Sequence, residues 1–249
     1  VMKGVILTIN PQAIIIDITH QIDPQNIRQA AYLISDIYQY FPKETVHIVV
    51  VDPGVGSSRA IIALRSHSHT FLAPNNGLLS LLLTGQTFES AYRVNNADFF
   101  LHPVSATFHG RDIFAPVGAQ LSLGMSLDML GSPIDESALI KLELPKTQLT
   151  NDGALMGAVV DVDHFGNLIT NLDWNTIKWH YSNVKTDKFY IGIGNHRIAG
   201  LSQTYDDVET EMPLALIGSR GLLEISVNRG NAAMFYGARV DTPVFIKVD

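Results

Sequence analysis

The pattern of apolar runs along the chain changes once, between residues 141 and 153, and this change constrains the fold more than any other feature. Before it, short β-branched runs alternate with segments whose apolar residues recur at helical spacing. After it, short strand patterns follow one another, separated by Gly, Asn and Asp turns. We therefore predict an α/β domain with a largely parallel sheet over 1–148, and a smaller all-β, barrel-like domain over 149–249.

Apolar runs and end signals define the expected elements of the first domain. Strands are predicted where β-branched residues dominate, and helices where capping residues precede apolar residues at helical spacing. Asp23 is the predicted N-cap of one helix, with Pro24 at its first position, and Asp112 the N-cap of another that ends at Leu121. The strands are expected at Val5–Ile9, Ile14–Ile18, Val46–Val51, Ile61–Leu64 and Thr70–Leu72, with a short helix at Leu78–Leu83.

The second domain is expected to be built almost entirely from strands. A single short helix is predicted, near Ala232–Tyr236. Strand patterns occur at Leu155–Val162, Phe189–Ile193, Leu214–Ile217, Leu222–Val227 and Val244–Val248.

Composition excludes several classes of function. The chain has no cysteine, so disulfides, thiolate metal sites and cysteine nucleophiles are ruled out. A formal net charge of −7 without any basic cluster argues against nucleic acid as a partner. No apolar run approaches the roughly 18 residues that a membrane span needs, and we expect a cytoplasmic protein. Charged residues make up 16%, against about 25% in typical soluble domains, which favours buried contacts between subunits.

The loop after the predicted strand Val46–Val51 is the first candidate site. Asp52 and Arg59 enclose Gly54 and Gly56, which allow the backbone to approach a ligand closely. A tight turn with a local Asp–Arg pair explains the same residues about equally well. A dinucleotide site is weaker, because the third glycine of its fingerprint is missing.

Other polar clusters are candidates with equally simple structural explanations. His109, ahead of a predicted helix, could act as a general base or lie on a surface loop. Asp163, Phe165 and Asn167 could hold a planar polar ligand or form a turn. Ser219 and Arg220 could bind a carboxylate through a forked arginine contact, or form a hairpin turn. A metal site at the remaining pair, His67 and His69, is not expected, because no carboxylate ligand lies nearby.

Seven segments, in order along nearly the whole chain, together resemble one family. This family is the S-adenosyl-L-methionine (SAM) hydroxide adenosyltransferases, or SAM hydrolases, which are related to the fluorinases and chlorinases. Each segment is short, but seven in order make a chance match unlikely. They are Met2–Leu7, Ile16–His20, Val51–Arg59, Ala73–Leu79, Phe108–Pro116, Asp163–Asn171 and Gly218–Ala233.

The resemblance implies a hydrolase that attacks the ribose 5′ carbon of SAM with water and releases adenosine and L-methionine, without a metal or organic cofactor. Asp52, Arg59 and His109 match the residues that activate the water. A homotrimer is also implied, with each active site between the N-terminal domain of one subunit and the C-terminal domain of its neighbour. The implied substrate contacts are Phe108, Asp163, Phe165, Asn167, Ser219, Arg220, Asn231 and Ala232.

Departures from the family pattern leave alternatives open. The halogenating relatives have tyrosine at the position of Asp52 and a halide-binding serine at that of Gly110, so halide transfer is disfavoured. A SAM-binding module without turnover is the other alternative. Family members also carry an aspartate before the Met-Lys-Gly motif that binds the ribose. This chain begins at Val1 without it, and we expect the natural protein to begin earlier.

Overall fold

The structure is a computed structural model that describes residues 1–83, 88–182 and 184–248. It divides into two compact units, Val1–Leu142 and Glu143–Asp249. The assignment of separate functional domains to 1–148 and 149–249 stays a prediction. Among the helices of the described ranges, none has the length and apolar character that a membrane span requires.

The first unit combines helices with one small sheet. Its strands are β1 (Val46–Ile48), β2 (Ile61–Ser66), β3 (His69–Pro74) and β4 (Ser90–Arg93). Its helices are α1 (Met2–Ile9), α2 (Ile27–Ile37) and α3 (Ala115–Ser122), with a π-helical turn at Gly110–Phe114. Short 3₁₀ turns lie at Tyr38–Tyr40, Ser80–Leu83, Ala97–Phe99, Leu127–Leu130 and Glu136–Ala138. The predictions of strands in the regions of β1, β2 and β3, and of a short helix before Leu83, are confirmed.

The sheet of the first unit is mixed, so the prediction of a largely parallel sheet is wrong. Its strand order is β1-β3-β2-β4, and only the β1–β3 pairing is parallel. The turn between β2 and β3 consists of His67 and Ser68, whose φ angles are 54° and 61°. Because both residues are left-handed, the chain reverses within two residues and the strands must pair antiparallel. Such turns usually contain Gly or Asn, and neither residue is present here.

The predicted strand Val5–Ile9 is wrong, because these residues belong to α1. Met2, Val5, Ile6 and Ile9 recur at helical spacing, and they pack against α3 in one apolar cluster. A run of β-branched residues thus became a helix because its apolar face has a helical partner. Tertiary packing outweighs the modest β preference of these side chains.

Ile14–Ile18 does not form the predicted strand either. Ile14 is 90% exposed, and no described strand pairs with this segment, so its backbone lacks the partner that a strand requires. The next helix begins at Ile27 rather than at Pro24. Asn26 is its N-cap, since its side chain accepts a hydrogen bond of 3.0 Å from the backbone N–H of Gln29.

The second unit is a nearly closed, barrel-like antiparallel sheet, as expected for its class. The strand order is β10-β11-β7-β6-β12-β8-β9, and β5 pairs with β6. A bridge between Ser202 and Leu216 joins the two ends of this path. The strands are β5 (Gln148–Leu149), β6 (Leu155–Val162), β7 (Leu168–Asp173), β8 (Phe189–Ile193), β9 (His196–Ala199), β10 (Pro213–Ile217), β11 (Leu222–Val227) and β12 (Pro243–Val248).

All five strands predicted for the second unit are confirmed, and so is the helix α5 at Ala232–Tyr236. The prediction of only one helical stretch is wrong, because α4 occupies Trp174–His180, and 3₁₀ turns lie at Thr186–Lys188 and Tyr205–Asp207. Asp173 caps α4 by accepting from the N–H of Thr176. Ile177 is the fully buried residue of α4, and Trp174 and Tyr181 pack against the same core at helical spacing, a stripe too short to predict a helix by itself.

Candidate functional site

A hydrogen bond from the side chain of Asn76 fixes the backbone at the start of the loop that follows β1. The Asn76 side-chain amide donates to the carbonyl of Val51 at 2.9 Å, immediately before Asp52. The strand path also continues past β1, because the N–H of Val49 donates to the carbonyl of Leu72 at 3.0 Å. Asp52 therefore lies directly after the fixed end of a strand, where ligands of α/β sheets commonly bind.

Gly56 brings this loop against a distant segment of the first unit. Its φ of 77° lies in the left-handed region, and a Cβ there would lie 2.2 Å from the carbonyl oxygen of Ala106. Any larger residue would push the two segments apart. The close approach places the loop beside the chain that leads to His109.

Asp52, Arg59 and His109 form one connected group of hydrogen bonds, here called the water-activating cluster after the role that the family resemblance predicts for it. The guanidinium of Arg59 binds both carboxylate oxygens of Asp52, with 2.8 Å from Nε to Oδ1 and a second contact from Nη2 to Oδ2. Nη2 also lies 2.9 Å from Nδ1 of His109. The side chains of Asp52 and Arg59 are only 4% and 10% exposed, so this forked pair is shielded from water.

The contact with Arg59 determines how His109 can act. A guanidinium is a donor only, so Nδ1 of His109 must accept, and the neutral ring carries its hydrogen on Nε2. Burial, and secondarily the positive charge of Arg59, lower the pKa of His109 below its ordinary value. The ring is therefore neutral at pH 7, with an N–H donor on its other nitrogen.

The segment around His109 is fixed by Asp112, which is not the N-cap that the sequence analysis predicts. Asp112 lies inside the π-helical turn and is fully buried. Its carboxylate accepts from Nε and Nη2 of Arg111, and from the backbone N–H of Ser105 at 2.8 Å. The bond from Arg111 holds the pKa of Asp112 below its usual value. Phe108 is 39% exposed, and Arg111 lies 5.1 Å from its ring centre.

In the second unit, Asp163, Phe165 and Asn167 form a tight turn between β6 and β7. Oδ1 of Asp163 accepts from the backbone N–H groups of Phe165 and Asn167, both at 2.9 Å. Oδ2 accepts from the side-chain amide of Asn167 at 2.9 Å. The Phe165 ring is 74% exposed. The turn explanation is therefore correct for the local geometry, and it leaves an aromatic ring open to solvent.

Asn231 and Ala232 lie where this turn meets α5. Asn231 caps α5 by accepting from the N–H of Met234 at 2.8 Å, and the N–H of Ala233 donates to the carbonyl of Gly166 at 2.9 Å. A Cβ on Gly166, whose φ is 86°, would lie within 2.4 Å of the Asn231 amide. Ala232 is fully buried and belongs to the barrel core.

Ser219 and Arg220 line a cavity of about 460 Å³ within the second unit. Asp163 lies in the same wall, together with two residues that the sequence analysis does not identify, Tyr205 and Glu224. Nη1 of Arg220 donates to Oδ2 of Asp161 at 3.1 Å. The cavity thus brings together three of the predicted contacts, whereas the exposed Phe165 ring is not in its wall.

Three residues that contact or line the candidate sites escape the sequence analysis for different reasons. Asn76 belongs to a segment that the resemblance includes, but its bond to a backbone carbonyl has no sequence signal. Asp161 occupies a strand position that looks solvent-facing. Glu224 had a usable signal, because it is the only charged residue in strand β11, whose other residues are apolar except Ser226.

Comparisons with known proteins identify the family of this chain. The N-terminal domain of the SAM hydroxide adenosyltransferases matches residues 1–131, and their C-terminal domain matches residues 157–245. An (R)-S-adenosyl-L-methionine hydrolase of Salinispora arenicola is 36% identical over 92% of this chain and 85% of its own length. The protein of the same name from Thermus thermophilus is 33% identical over 98% of this chain and 92% of its own. A fluorinase of Nocardia brasiliensis is 27% identical over 99% of this chain and 91% of its own.

A solved structure shares the fold of this chain. The crystal structure of an uncharacterized conserved protein from Thermotoga maritima superposes with a TM-score of 0.91. It shares 34% sequence identity and covers 98% of this chain and 93% of that one. With both domains of the family matched in order, and relatives above 30% identity over most of its length, this chain belongs to the SAM hydroxide adenosyltransferase family.

Proposed function

We propose that this protein hydrolyses SAM to adenosine and L-methionine, with water as the nucleophile at the ribose 5′ carbon. The observation that carries the proposal is the buried, connected cluster of Asp52, Arg59 and His109. Mere binding of SAM needs no such arrangement of a carboxylate, a guanidinium and a neutral imidazole. Four relatives named (R)-S-adenosyl-L-methionine hydrolase, at 33–36% identity, support the same reaction.

The chemistry explains why such a cluster suffices. Methionine leaves a sulfonium as a neutral thioether, so its departure needs no general acid. Water, whose pKa is about 15.7 in bulk, is the weak partner and must lose a proton as it attacks. Asp52 is the proton acceptor in this proposal, because each of its oxygens retains a lone pair beside the bond from Arg59. Arg59 fixes the carboxylate and stabilises the developing hydroxide.

His109 acts as an orienting donor rather than as the base. Its Nδ1 lone pair is used by Arg59, and Nε2 carries the hydrogen. An Nε2–H group can donate to the oxygen of the attacking water while that water donates to Asp52. This leaves the remaining lone pair of the water directed at the 5′ carbon, an alignment that lowers the barrier by several kcal/mol.

Two positions favour water over a halide. Asp52 stands where the halogenating relatives carry tyrosine, and it supplies the base that water needs but a halide does not. Gly110 stands at the position of their halide-binding serine. A Cβ on Gly110 would lie 3.1 Å from Sδ of Met2, which leaves little room for a hydroxyl-bearing side chain.

Incubation with SAM in oxygen-18 water, followed by mass spectrometry, tests the reaction. We expect one heavy oxygen in adenosine at its 5′ position and unlabelled methionine in equal amount. Because the relatives' names specify an (R) form, both sulfonium epimers are assayed separately, and we expect the (R) epimer to be the better substrate. Bound SAM without adenosine would support a binding module instead, and a 5′-halo-adenosine formed in concentrated chloride would support halide transfer.

The homotrimer and the independence from cofactors are part of the same proposal. Both come from the family resemblance, and the low share of charged residues supports buried subunit contacts. Light scattering coupled to size exclusion should give three times the mass of the chain. Turnover should be unchanged after dialysis against a chelator.

A further inference from the structure

Asp112 is a buried carboxylate of the first unit to which the proposed reaction assigns no role. It is fully buried, although Arg111, its charged partner, has a side chain that is 36% exposed. Burying a charge is costly unless the charge is paired and hydrogen-bonded, so the bonds of Asp112 must be kept in the folded protein. The segment 101–108 beside it is mostly exposed, with Leu101 at 43% and Phe108 at 39%. Burial alone therefore does not fix this segment.

Asp112 ties the segment to the turn that carries His109. Its Oδ2 accepts from the backbone N–H of Ser105 at 2.8 Å, and its backbone carbonyl accepts from the N–H of Leu101 at 2.8 Å. Its own N–H donates to the carbonyl of Phe108 at 3.1 Å. Three bonds of one residue thus define the path of the segment up to His109.

The bond to Ser105 also reaches the other half of the water-activating cluster. Ala106 follows Ser105 directly, and its carbonyl oxygen is the atom that would lie 2.2 Å from a Cβ on Gly56. Gly56 belongs to the loop that carries the carboxylate and the guanidinium of the cluster. This loop therefore packs against a backbone segment that Asp112 holds in place.

We propose that Asp112 is a positioning residue that sets the contact between Arg59 and His109 by holding Ser105. It acts through these residues and not on the reacting atoms. Its effect on turnover rests on the proposed function, because the contact between Arg59 and His109 matters for the reaction only if the cluster activates water. Its effect on the His109 ring can be measured without any turnover.

Asp112 acts on His109 through its charge as well as through its bonds. Burial and the charge of Arg59 lower the pKa of His109, whereas the negative charges of Asp52 and Asp112 oppose this decrease. Loss of the charge of Asp112 alone should therefore lower the pKa of His109 further. Loss of the bond to Ser105 should release the ring from Arg59 and from burial, and should raise its pKa toward the ordinary value of about 6.5.

Two variants of Asp112 separate these effects. Asp112→Asn removes the charge, but its amide oxygen can still accept from the N–H of Ser105, whereas Asp112→Ala removes both the charge and the bond. The pKa of His109 is measured without SAM, by NMR titration of protein labelled with carbon-13 at the histidine Cε1, and His109→Gln identifies the signal. Relative to the unmodified protein, we expect a lower pKa in Asp112→Asn and a higher one in Asp112→Ala. Asp98→Ala, at an exposed aspartate, should leave it unchanged.

Steady-state kinetics with SAM measure the consequence for turnover. They are recorded at about pH 8, where a histidine with an ordinary or lowered pKa is neutral. In Asp112→Ala, kcat should fall about 100-fold, the loss expected when a catalytic group is displaced by about 1 Å. In Asp112→Asn, kcat should fall less than about tenfold, because the bond to Ser105 is retained. KM should change less than about threefold in both variants.

A pKa of His109 that is no higher in Asp112→Ala than in Asp112→Asn would overturn the proposal, because Asp112 would then act through its charge alone. If Asp112→Ala does not fold, Gly56→Ala separates the loop from Ala106 by the clash of its Cβ and keeps every charge. It should raise the pKa of His109, and an unchanged pKa would contradict the proposal. An unmodified protein that does not turn over SAM would disprove the proposed function but would leave the NMR result valid, so the two failures are distinguishable.

Discussion

The two regions with candidate functional residues differ in how their charges are satisfied. In the water-activating cluster, Asp52 and Arg59 bond to each other within one loop, and Arg59 also contacts His109, which lies 50 residues away in sequence. In the cavity of the second unit, here called the charged cavity, Arg220 and Glu224 line an open volume of about 460 Å³, and Tyr205 and Ser226 both donate to Oε1 of Glu224. The first arrangement is complete without a ligand, as catalysis by preorganised groups requires. The second encloses a volume that has room for a ligand.

This difference predicts a division of labour, in which the cluster determines kcat and the cavity determines KM. Steady-state kinetics of variants can disprove it. Substitutions in the cluster should lower kcat with little change in KM, because they remove interactions made in the transition state. Substitutions in the charged cavity should raise KM first, because they remove contacts made equally in the ground state.

The largest effect is expected from Asp52→Asn. The amide keeps the size of the carboxylate but cannot accept the proton of the attacking water, so kcat should fall about 1000-fold. KM should change less than about threefold. Asp98→Asn, at an exposed aspartate, is the matched control and should leave both constants unchanged. Retention of full kcat in Asp52→Asn, with an unaltered melting temperature, would show that another group is the base.

His109→Gln should have the next largest effect, about 100-fold in kcat, because the ring orients the water without taking its proton. Burial and Arg59 lower the pKa of His109, so the ring is neutral at pH 7 and charges only below its ordinary pKa of about 6.5. Protonation would cost Nδ1 its bond from Arg59. The pH profile of kcat should therefore fall on the acid side below about 6.5, and this limb should disappear in the variant. An identical limb in the variant would assign it to another group.

The same comparison shows what the sequence can reveal about a site. The residue types of the water-activating cluster are visible, since Asp52 and Arg59 share one glycine loop. Their connection to His109 is not visible, because it depends on the close approach of Gly56 to Ala106. Family resemblance supplied the grouping that spacing could not.

For the fold, the sequence predicts an element correctly where the spacing of its apolar residues matches the pattern of burial in the structure. The barrel strands β6, β8 and β11 end at the predicted residues, because their apolar runs lie between clear turn residues. The predictions of secondary structure fail where contacts with another element determine the structure. Val5–Ile9 is helical because α3 provides a helical partner, and the sheet is mixed because His67 and Ser68 form a reversed turn without glycine. Neither the packing partner nor the turn conformation can be seen in the spacing of the apolar residues themselves.

Arg220→Lys tests whether the charged cavity serves substrate binding rather than catalysis. Lysine keeps the charge but loses the planar fork, so the predicted contact with the methionine carboxylate should weaken and KM should rise about tenfold. kcat should fall less than about threefold. A loss mainly in kcat would mean that the charged cavity contributes to the transition state, and the division of labour would then be wrong.

The smallest effect is expected at Asn231, where folding and binding can be separated. Its side chain caps α5 and packs against Gly166, so Asn231→Ala should lower the free energy of unfolding by about 1 kcal/mol. Asn231→Asp retains an acceptor for the N–H of Met234 and should cost much less. Urea unfolding measures both, through the midpoint at a constant slope. If both variants were equally stable but raised KM together, Asn231 would belong to ligand recognition rather than to the fold, and recognition in the second unit would extend beyond the charged cavity.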